Sequence, residues 1–423
     1  MYRKGKFQVT NKQPYLDMNK KQVAVFSIPV IVAALGYFVD IYDLLLFNIV
    51  RIPSLKSLGL SAADIDKKGE LIIGIQMVGL LIGGIIWGIA GDKKGRLSIL
   101  FGSIILYSIA NIANGFVHTV PQYVMARFVA GIGLAGELGG GITLVSELLR
   151  KEQRGIGTSV VAGIGLTGAI VAFFISQNFS WRTCYFIGGG LGFALLLMRV
   201  SVFESGMYQS MERSVSKGNF FMFFNNKRRF KKYACSILLG LPTWYVIGIL
   251  IAFSNKFANS FGIKDAISPG KATMYAYIAI SVGDVLAGLL SQLLQSRKKT
   301  LYIFYLVTIV MIALYFMQND HSTAASMYWI TAGLGFGTGF WAIFVTMGAE
   351  QFGTNLRATA ATTVPNMVRG SLPLMLLLFN ALQAYFSYVI SGLLTGVVVM
   401  IVSIIATVLT EETFHKELNY VEI

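Results

Sequence analysis

The sequence predicts an all-α membrane protein: twelve transmembrane helices in two pseudo-symmetric six-helix bundles. Three observations carry this. The 423 residues are 55% hydrophobic and only 13% charged, with a mean hydropathy of +0.65, whereas a soluble domain carries roughly 25% charged residues. Twelve apolar segments approach the ~20 residues that a helix needs to cross a hydrocarbon core. A single long polar stretch divides them six and six.

In chain order the expected spans are 24–50, 71–90, 98–118, 122–146, 158–177, 183–203, 233–254, 272–295, 300–317, 326–348, 360–385 and 387–409. The first follows about twenty polar, basic residues and is too long for the apolar core of a cleavable signal, so it is expected to remain in the mature chain. The polar stretch ESGMYQSMERSVSKGNFFMFFNNKRRFKK reads as a linker. The expected organisation is a first bundle over 1–204, a linker over 205–232, a second bundle over 233–410 and a tail over 411–423.

An internal repeat supports the division. SELLRKEQRG at 146–155 and AEQFGTNLRA at 349–358 each hold a Glu seven residues before an Arg, so Glu147 maps onto Glu350 and Arg154 onto Arg357 with one offset of 203. Duplicated halves with a site between them are a transporter architecture. The glycines of GIGLAGELGGG (131–141) and GLGFGTGF (333–340) lie inside spans. In a bilayer such small residues allow close, sliding helix contact.

The formal charge of +15 could indicate nucleic-acid binding, but its distribution excludes that reading. With the N-terminus inside, 25 of the 35 Lys and Arg fall on the inner side and 8 in outer loops, while Arg127 and Arg369 lie within spans. That is the positive-inside bias. It predicts an inner (cytoplasmic) membrane location with both termini cytoplasmic. Cys184 and Cys235 have no metal or redox spacing, the three histidines fall in loops and the tail, and no nucleotide loop or catalytic triad pattern occurs. No enzyme, metal or cofactor is expected. The expected partners are a small-molecule substrate, protons and the lipid bilayer, with the chain acting as a monomer.

After the second span, GIAGDKKGR (88–96) sets Gly88, Asp92, Lys93, Gly95 and Arg96 at the spacing G-x-x-x-D-K-x-G-R. This resembles the loop signature of the major facilitator superfamily. Arg127 followed by Gly131 is similar to that superfamily's fourth-helix pattern. The Glu147/Arg154 and Glu350/Arg357 pairs, with the tail EETFHKELNYVE, resemble its sugar-porter and metabolite:proton symporter branches. The resemblance implies the major facilitator fold and a charged gate at one face, built from these loop residues. One departure stands out: the second-half counterpart GLLSQLLQSRKK (288–299) has Gln292 where the acid should be. Its latch is expected to be weaker or built differently.

Charges at bilayer depth carry the functional reading, because each costs at least ~2.5 kcal/mol there and normally faces a protein interior or water path. Asp40 and Asp43, in GYFVDIYDLLLFN, are three residues apart and share a helix face with Gly36 and Phe47. That face is expected to look into a cavity, with at least one acid gaining and losing a proton. VDIYD resembles the V-E-W-Y-D motif of the metabolite:proton symporters and Tyr42-Asp43 the G-Y-D of proton-coupled sugar porters. By that resemblance Asp43 exchanges a proton in concert with Arg127. Glu137 is a third carboxylate, placed to neutralise a cation across the cavity.

In the second half the buried charges are Asp284 and Arg369, the latter following Pro365 and Asn366. A guanidinium in a dry cavity suits a carboxylate, through two parallel hydrogen bonds; permanent pairing of Arg369 with Asp284 is the other possibility. Tyr42, Trp244, Tyr245 and Trp341 complete the candidate substrate path, with Phe340 beside them. The expected function is proton-coupled uptake of a small carboxylate-bearing metabolite by alternating access. The alternative is a proton-driven exporter of a drug-like compound or siderophore, against which stands the absence of proline from the fifth span.

Overall fold

The computed structural model describes residues 26–149, 151–199, 218–416 and 420–422, without the side chains of residues 62, 63, 96, 98, 146, 151, 152, 154 and 155. Arg96 and Arg154 of the expected gate therefore have their side chains outside the described set. Residues 205–217 of the linker lie outside it entirely.

Twelve crossings run in order: α1 (Ile28–Ser57), α2 (Ala62–Lys94), α3 (Arg96–Gly115), α4 (Val120–Leu134 and Glu137–Leu148), α5 (Lys151–Leu166 and Gly168–Asn178) and α6 (Trp181–Met198) form the first half. The second half holds α7 (Lys227–Leu238, Leu241–Tyr245 and Val246–Ile251), α8 (Pro269–Leu293), α9 (Arg297–Phe316), α10 (Ala324–Gly337 and Trp341–Glu350), α11 (Arg357–Gly370 and Leu372–Leu382) and α12 (Tyr388–Leu409). Ten of these are long and apolar enough to cross a membrane. The third has a shorter apolar stretch, and the eleventh is interrupted at Ser371.

Helix starts follow local chemistry. Thr119 caps α4 in a reciprocal capping box with Gln122, Ser268 caps α8 and Ser296 caps α9. Each hydroxyl satisfies an amide that the helix itself cannot pair. The α1 helix runs to Ser57, well past the expected end at residue 50, and so takes in Arg51. It can do so because Arg51 is buried in protein: its Nη2 donates to the Ala252 carbonyl at 3.2 Å and its guanidinium lies 4.9 Å from the Phe253 ring. Arg51 is thus a helix residue and not an outer-loop charge.

The breaks repeat the duplication. In α4 the helix is interrupted at Ala135 and Gly136, and in α10 at Thr338 and Gly339, again an offset of 203. α7 contains a π-helical turn over Val246–Ile251, an irregularity frequent at functional sites. Broken backbone at membrane depth is tolerated only where it is buried or lines a cavity. Here it surrounds the seam between the halves.

That seam is made by α2 against α11 and α5 against α8. Gly84 permits the first contact: a Cβ there would sit 2.8 Å from the Cβ of Asn366. Gly139 of α4 meets Thr362 of α11 even more tightly. The glycine-rich spans therefore serve close packing between the halves.

Candidate functional site

A void of about 270 Å³ lies in the seam, lined by Tyr37, Ile41 and Leu166 of the first half and by Trp244, Tyr277, Trp341 and Arg369 of the second. It is narrow, with little free space between the lining side chains. The halves close over it at both faces.

On the face that carries the linker, Asp92 of α2 accepts from the Ala358 and Thr359 amides at 3.2 and 2.8 Å and from the Thr359 hydroxyl at 2.6 Å. An acid on the first amides of α11 satisfies unpaired donors and complements the helix dipole. Beside it, Glu147 and Arg357 approach to 3.5 Å, both fully buried at the side chain, and Thr346 reaches Thr158 at 3.3 Å. On the far face, Lys256 stands 3.3 Å from Asp66 and 4.0 Å from Glu70. Those groups are about 30% exposed.

The first-helix acids are both completely buried, but they do not share a partner. Asp43 turns into the first bundle. Arg127 donates to its carboxylate at 2.9 Å and to its backbone carbonyl at 3.1 Å, with Gln76 and Asn111 each accepting from the guanidinium at 3.4 Å. Asp40 looks the other way, 4.0 Å from Arg369 of α11. Sixty degrees of helix rotation separates a contact within one half from a contact across the seam, so the expectation of one acid face on one cavity is corrected.

Glu137 also departs from expectation. It holds Arg199, at 2.5 and 3.0 Å, and accepts from the Ser103 hydroxyl at 2.7 Å, all inside the first bundle. The cation it neutralises is therefore not across the cavity. Arg199, counted by sequence among linker charges, is buried at the end of α6, where it also donates to the Leu100 carbonyl.

Asp284 is not the partner of Arg369. Its carboxylate accepts from the Ala342 amide at 2.8 Å, capping the second segment of α10 where the break at Gly339 leaves that amide unpaired. Arg369 instead donates to Asn366 at 3.2 Å and lies 5.7 Å from the Trp341 ring, a cation–π distance. Asn366 in turn donates to the carbonyl of Ala135, which the α4 break exposes, at 2.7 Å. Trp244 and Trp341 line the void. Tyr42 and Tyr245 do not, because their hydroxyls are spent on the carbonyls of Cys184 and Gly392 at 2.8 Å, and Phe340 packs on Tyr305.

At the linker face the Arg of the second motif does not pair with the Glu of its own half: Arg357 goes to Glu147. Glu350 pairs with Arg297 at 3.2 Å and accepts from Thr413 at 2.7 Å. The acid missing at Gln292 is replaced from the tail: Glu412 accepts from Ser296 and from the Arg297 and Lys298 amides. Gly88 is the carbonyl partner of the Thr359 hydroxyl at 3.1 Å, and Gly95 is the left-handed joint, with φ 101°, between α2 and α3. Lys93 lies in the last turn of α2. Among the described residues no group of three His, Cys, Asp or Glu could hold a metal ion.

Sequence reasoning missed Tyr37, Tyr277, Gln76, Asn111, Ser103 and Arg199. Tyr37 and Gln76 lie within spans that were recognised, and only their neighbours distinguish them from packing residues. Arg199 carried one usable signal, since it directly follows an unbroken apolar run ending at Met198.

Two broken-helix halves that close at both ends over a buried charged seam define a membrane transporter. A description of the Major Facilitator Superfamily matches residues 33–371; the chain belongs to that superfamily and crosses the membrane many times. It is 23% identical over 426 residues to the niacin transporter NiaP of Acinetobacter baylyi, covering 92% of this chain and 94% of that one. It is 31% identical over 157 residues to the 3-(3-hydroxy-phenyl)propionate transporter of Escherichia coli, covering 34% and 39%. The solved structure of the proton:xylose symporter XylE bound to 6-bromo-6-deoxy-D-glucose superposes with a TM-score of 0.71 at 15% identity, over 93% of this chain and 97% of that one. That likeness is one of fold.

Proposed function

We propose that the protein is a proton-coupled symporter that takes up a small organic acid by alternating access. The single observation behind this reading is Arg369: a buried guanidinium from the second half, flanked by Trp341 and facing the seam opposite Asp40. A cation so placed favours an anion with an apolar body. Two similar proteins support the choice, since they are named as transporters of niacin and of 3-(3-hydroxy-phenyl)propionate.

Proton coupling rests on Asp43 with Arg127. A carboxylate and a guanidinium in the dry interior of one half exchange their mutual pairing for a proton when water reaches them. Neutral Asp43 frees Arg127 and loosens α1 from α4. The anion on Arg369 then draws the halves together. The Lys and Arg distribution orients the linker face to the cytoplasm, in the inner membrane, with the chain acting as a monomer.

The test is uptake of radiolabelled nicotinate, benzoate and 3-(3-hydroxyphenyl)propionate into proteoliposomes under an imposed pH gradient. Acid outside should drive accumulation of at least one of them, and Asp43→Asn should abolish it. Uptake indifferent to the gradient, or unchanged in Asp43→Asn, removes the coupling.

A further inference from the structure

We propose that Asp40 is the resident anion of Arg369: a carboxylate of the chain itself that holds the guanidinium when no substrate is bound and yields it on taking up a proton. The inference rests on Arg369 as the anion-holding group, and it assigns the regulation of that site.

The geometry sets Asp40 apart from the other acids of the first half. Asp43 has Arg127 at 2.9 Å, and Glu137 has Arg199 and Ser103. Among the described residues, neither carboxylate oxygen of Asp40 has a hydrogen-bond partner, although the residue is completely buried. The Nε of Arg369 is likewise unpartnered, and its Nη2 stops 4.0 Å from Asp40. A buried carboxylate without hydrogen bonds is costly. The pair is therefore in contact without being committed to each other, and it spans α1 and α11, one from each half.

Charge counting gives the consequence. The titratable groups close enough for their charge to act on Asp40 are Asp43 and Tyr37 on α1, Tyr107 on α3, Glu137 on α4, Tyr277 on α8 and Arg369 on α11. Asp43 and Glu137 are each neutralised by their own arginine, which leaves Asp40 and Arg369 as a balanced pair. A substrate carboxylate on Arg369 would leave one negative charge in a dry site. One proton on Asp40 removes it, since its carboxylate becomes a neutral acid that no longer competes for the guanidinium.

The experiment measures binding of nicotinate, benzoate and 3-(3-hydroxyphenyl)propionate to the purified full-length protein between pH 6 and 8, read by the fluorescence of Trp244 and Trp341. The probes stay ionised throughout. The wild type should weaken by up to about tenfold per pH unit, the limit for one proton taken up with each anion. Asp40→Asn should bind with a pH slope reduced by one proton, keep counterflow exchange of labelled for unlabelled acid, and accumulate less acid for a given pH gradient. Asp40→Glu should restore the slope, and an unchanged melting temperature for both variants excludes misfolding. A wild-type slope retained in Asp40→Asn overturns the proposal while leaving gradient-driven uptake intact. Failure of every acid to bind at any pH overturns the anion reading and this one with it.

Discussion

Glu147 of the first half reaches Arg357, the arginine that the internal repeat assigns to Glu350 of the second, with 3.5 Å between them and both side chains fully buried. The duplicated motif thus joins the halves by crossing over. Breaking a buried pair by removing one partner costs about 3–5 kcal/mol, and that cost falls only on the state closed at the linker face. Glu147→Gln is expected to open this face, increasing the separation of spin labels placed on α4 and α11. The double exchange Glu147→Arg with Arg357→Glu should recover part of the closure. Label distances that stay at wild-type values in Glu147→Gln would contradict the role.

The guanidinium of Arg127 makes four hydrogen bonds, to the carboxylate and carbonyl of Asp43, to Gln76 and to Asn111. A lysine has no planar fork to reproduce them. Arg127→Lys should therefore lower uptake at least tenfold although the charge is kept. Transport close to wild type would mean that the charge alone suffices.

Lys256 faces Asp66 and Glu70 across the far face with roughly a third of each side chain exposed. Such pairs contribute only about 0–1 kcal/mol and are screened by salt. The far face should open more readily than the linker face, and faster at high ionic strength. With Cys184 and Cys235 replaced by Ser, a cysteine at Ile49, which packs against Gly270, should be alkylated faster in 1 M than in 0.1 M salt. Lys256→Gln should show the fast rate at both.

Gly84 has no room for a side chain, because Asn366 of the other half occupies the space a Cβ would need. Gly84→Val should hold α2 and α11 apart and stop transport. With Cys184 and Cys235 replaced by Ser and a cysteine placed at Thr359, which meets Gly88 in the same seam, alkylation from the linker side should be faster with Gly84→Val than without it, whereas equal rates would show that the seam can absorb the extra methyl groups.

Glu412 lies beyond the last membrane helix. Burial raises its pKa, but bonds from Ser296 and from the amides of Arg297, Lys298 and Thr413 outweigh that and bring it below the ordinary glutamate value. The folded value is the lower one, so its stabilisation is present above the unfolded pKa near 4.3 and is lost as pH falls through the folded pKa. Glu412→Ala should cost about 0.5–2 kcal/mol at neutral pH, the range of a lost helix cap. The melting temperatures of variant and wild type should converge between pH 5 and 3.

Much of this was legible in the chain. Hydropathy alone placed twelve crossings, since lipid imposes one length on every helix that spans it. The offset of 203 proved more informative than the two residues that revealed it, for it also relates the breaks at Ala135 and Thr338. The candidate site was legible only as a set of residue types. Arg127 with Asp43 followed from resemblance, whereas Glu137 was matched with the wrong neighbour and the partner of Asp284 was left open, because a lone charge in an apolar run states that a partner exists and not which helix brings it.

What the sequence by itself determined was therefore the inventory: an all-helical membrane chain, duplicated halves, and the ionised groups that must find company within them. Tertiary structure decided the pairing. It turned Asp43 toward Arg127 and Asp40 toward Arg369, gave Arg199 to Glu137 and the α10 break to Asp284. The physical reason is range: burial cost is a property of one residue and its local run, but the charge that offsets it lies on another helix, and which helix arrives there depends on how all twelve pack.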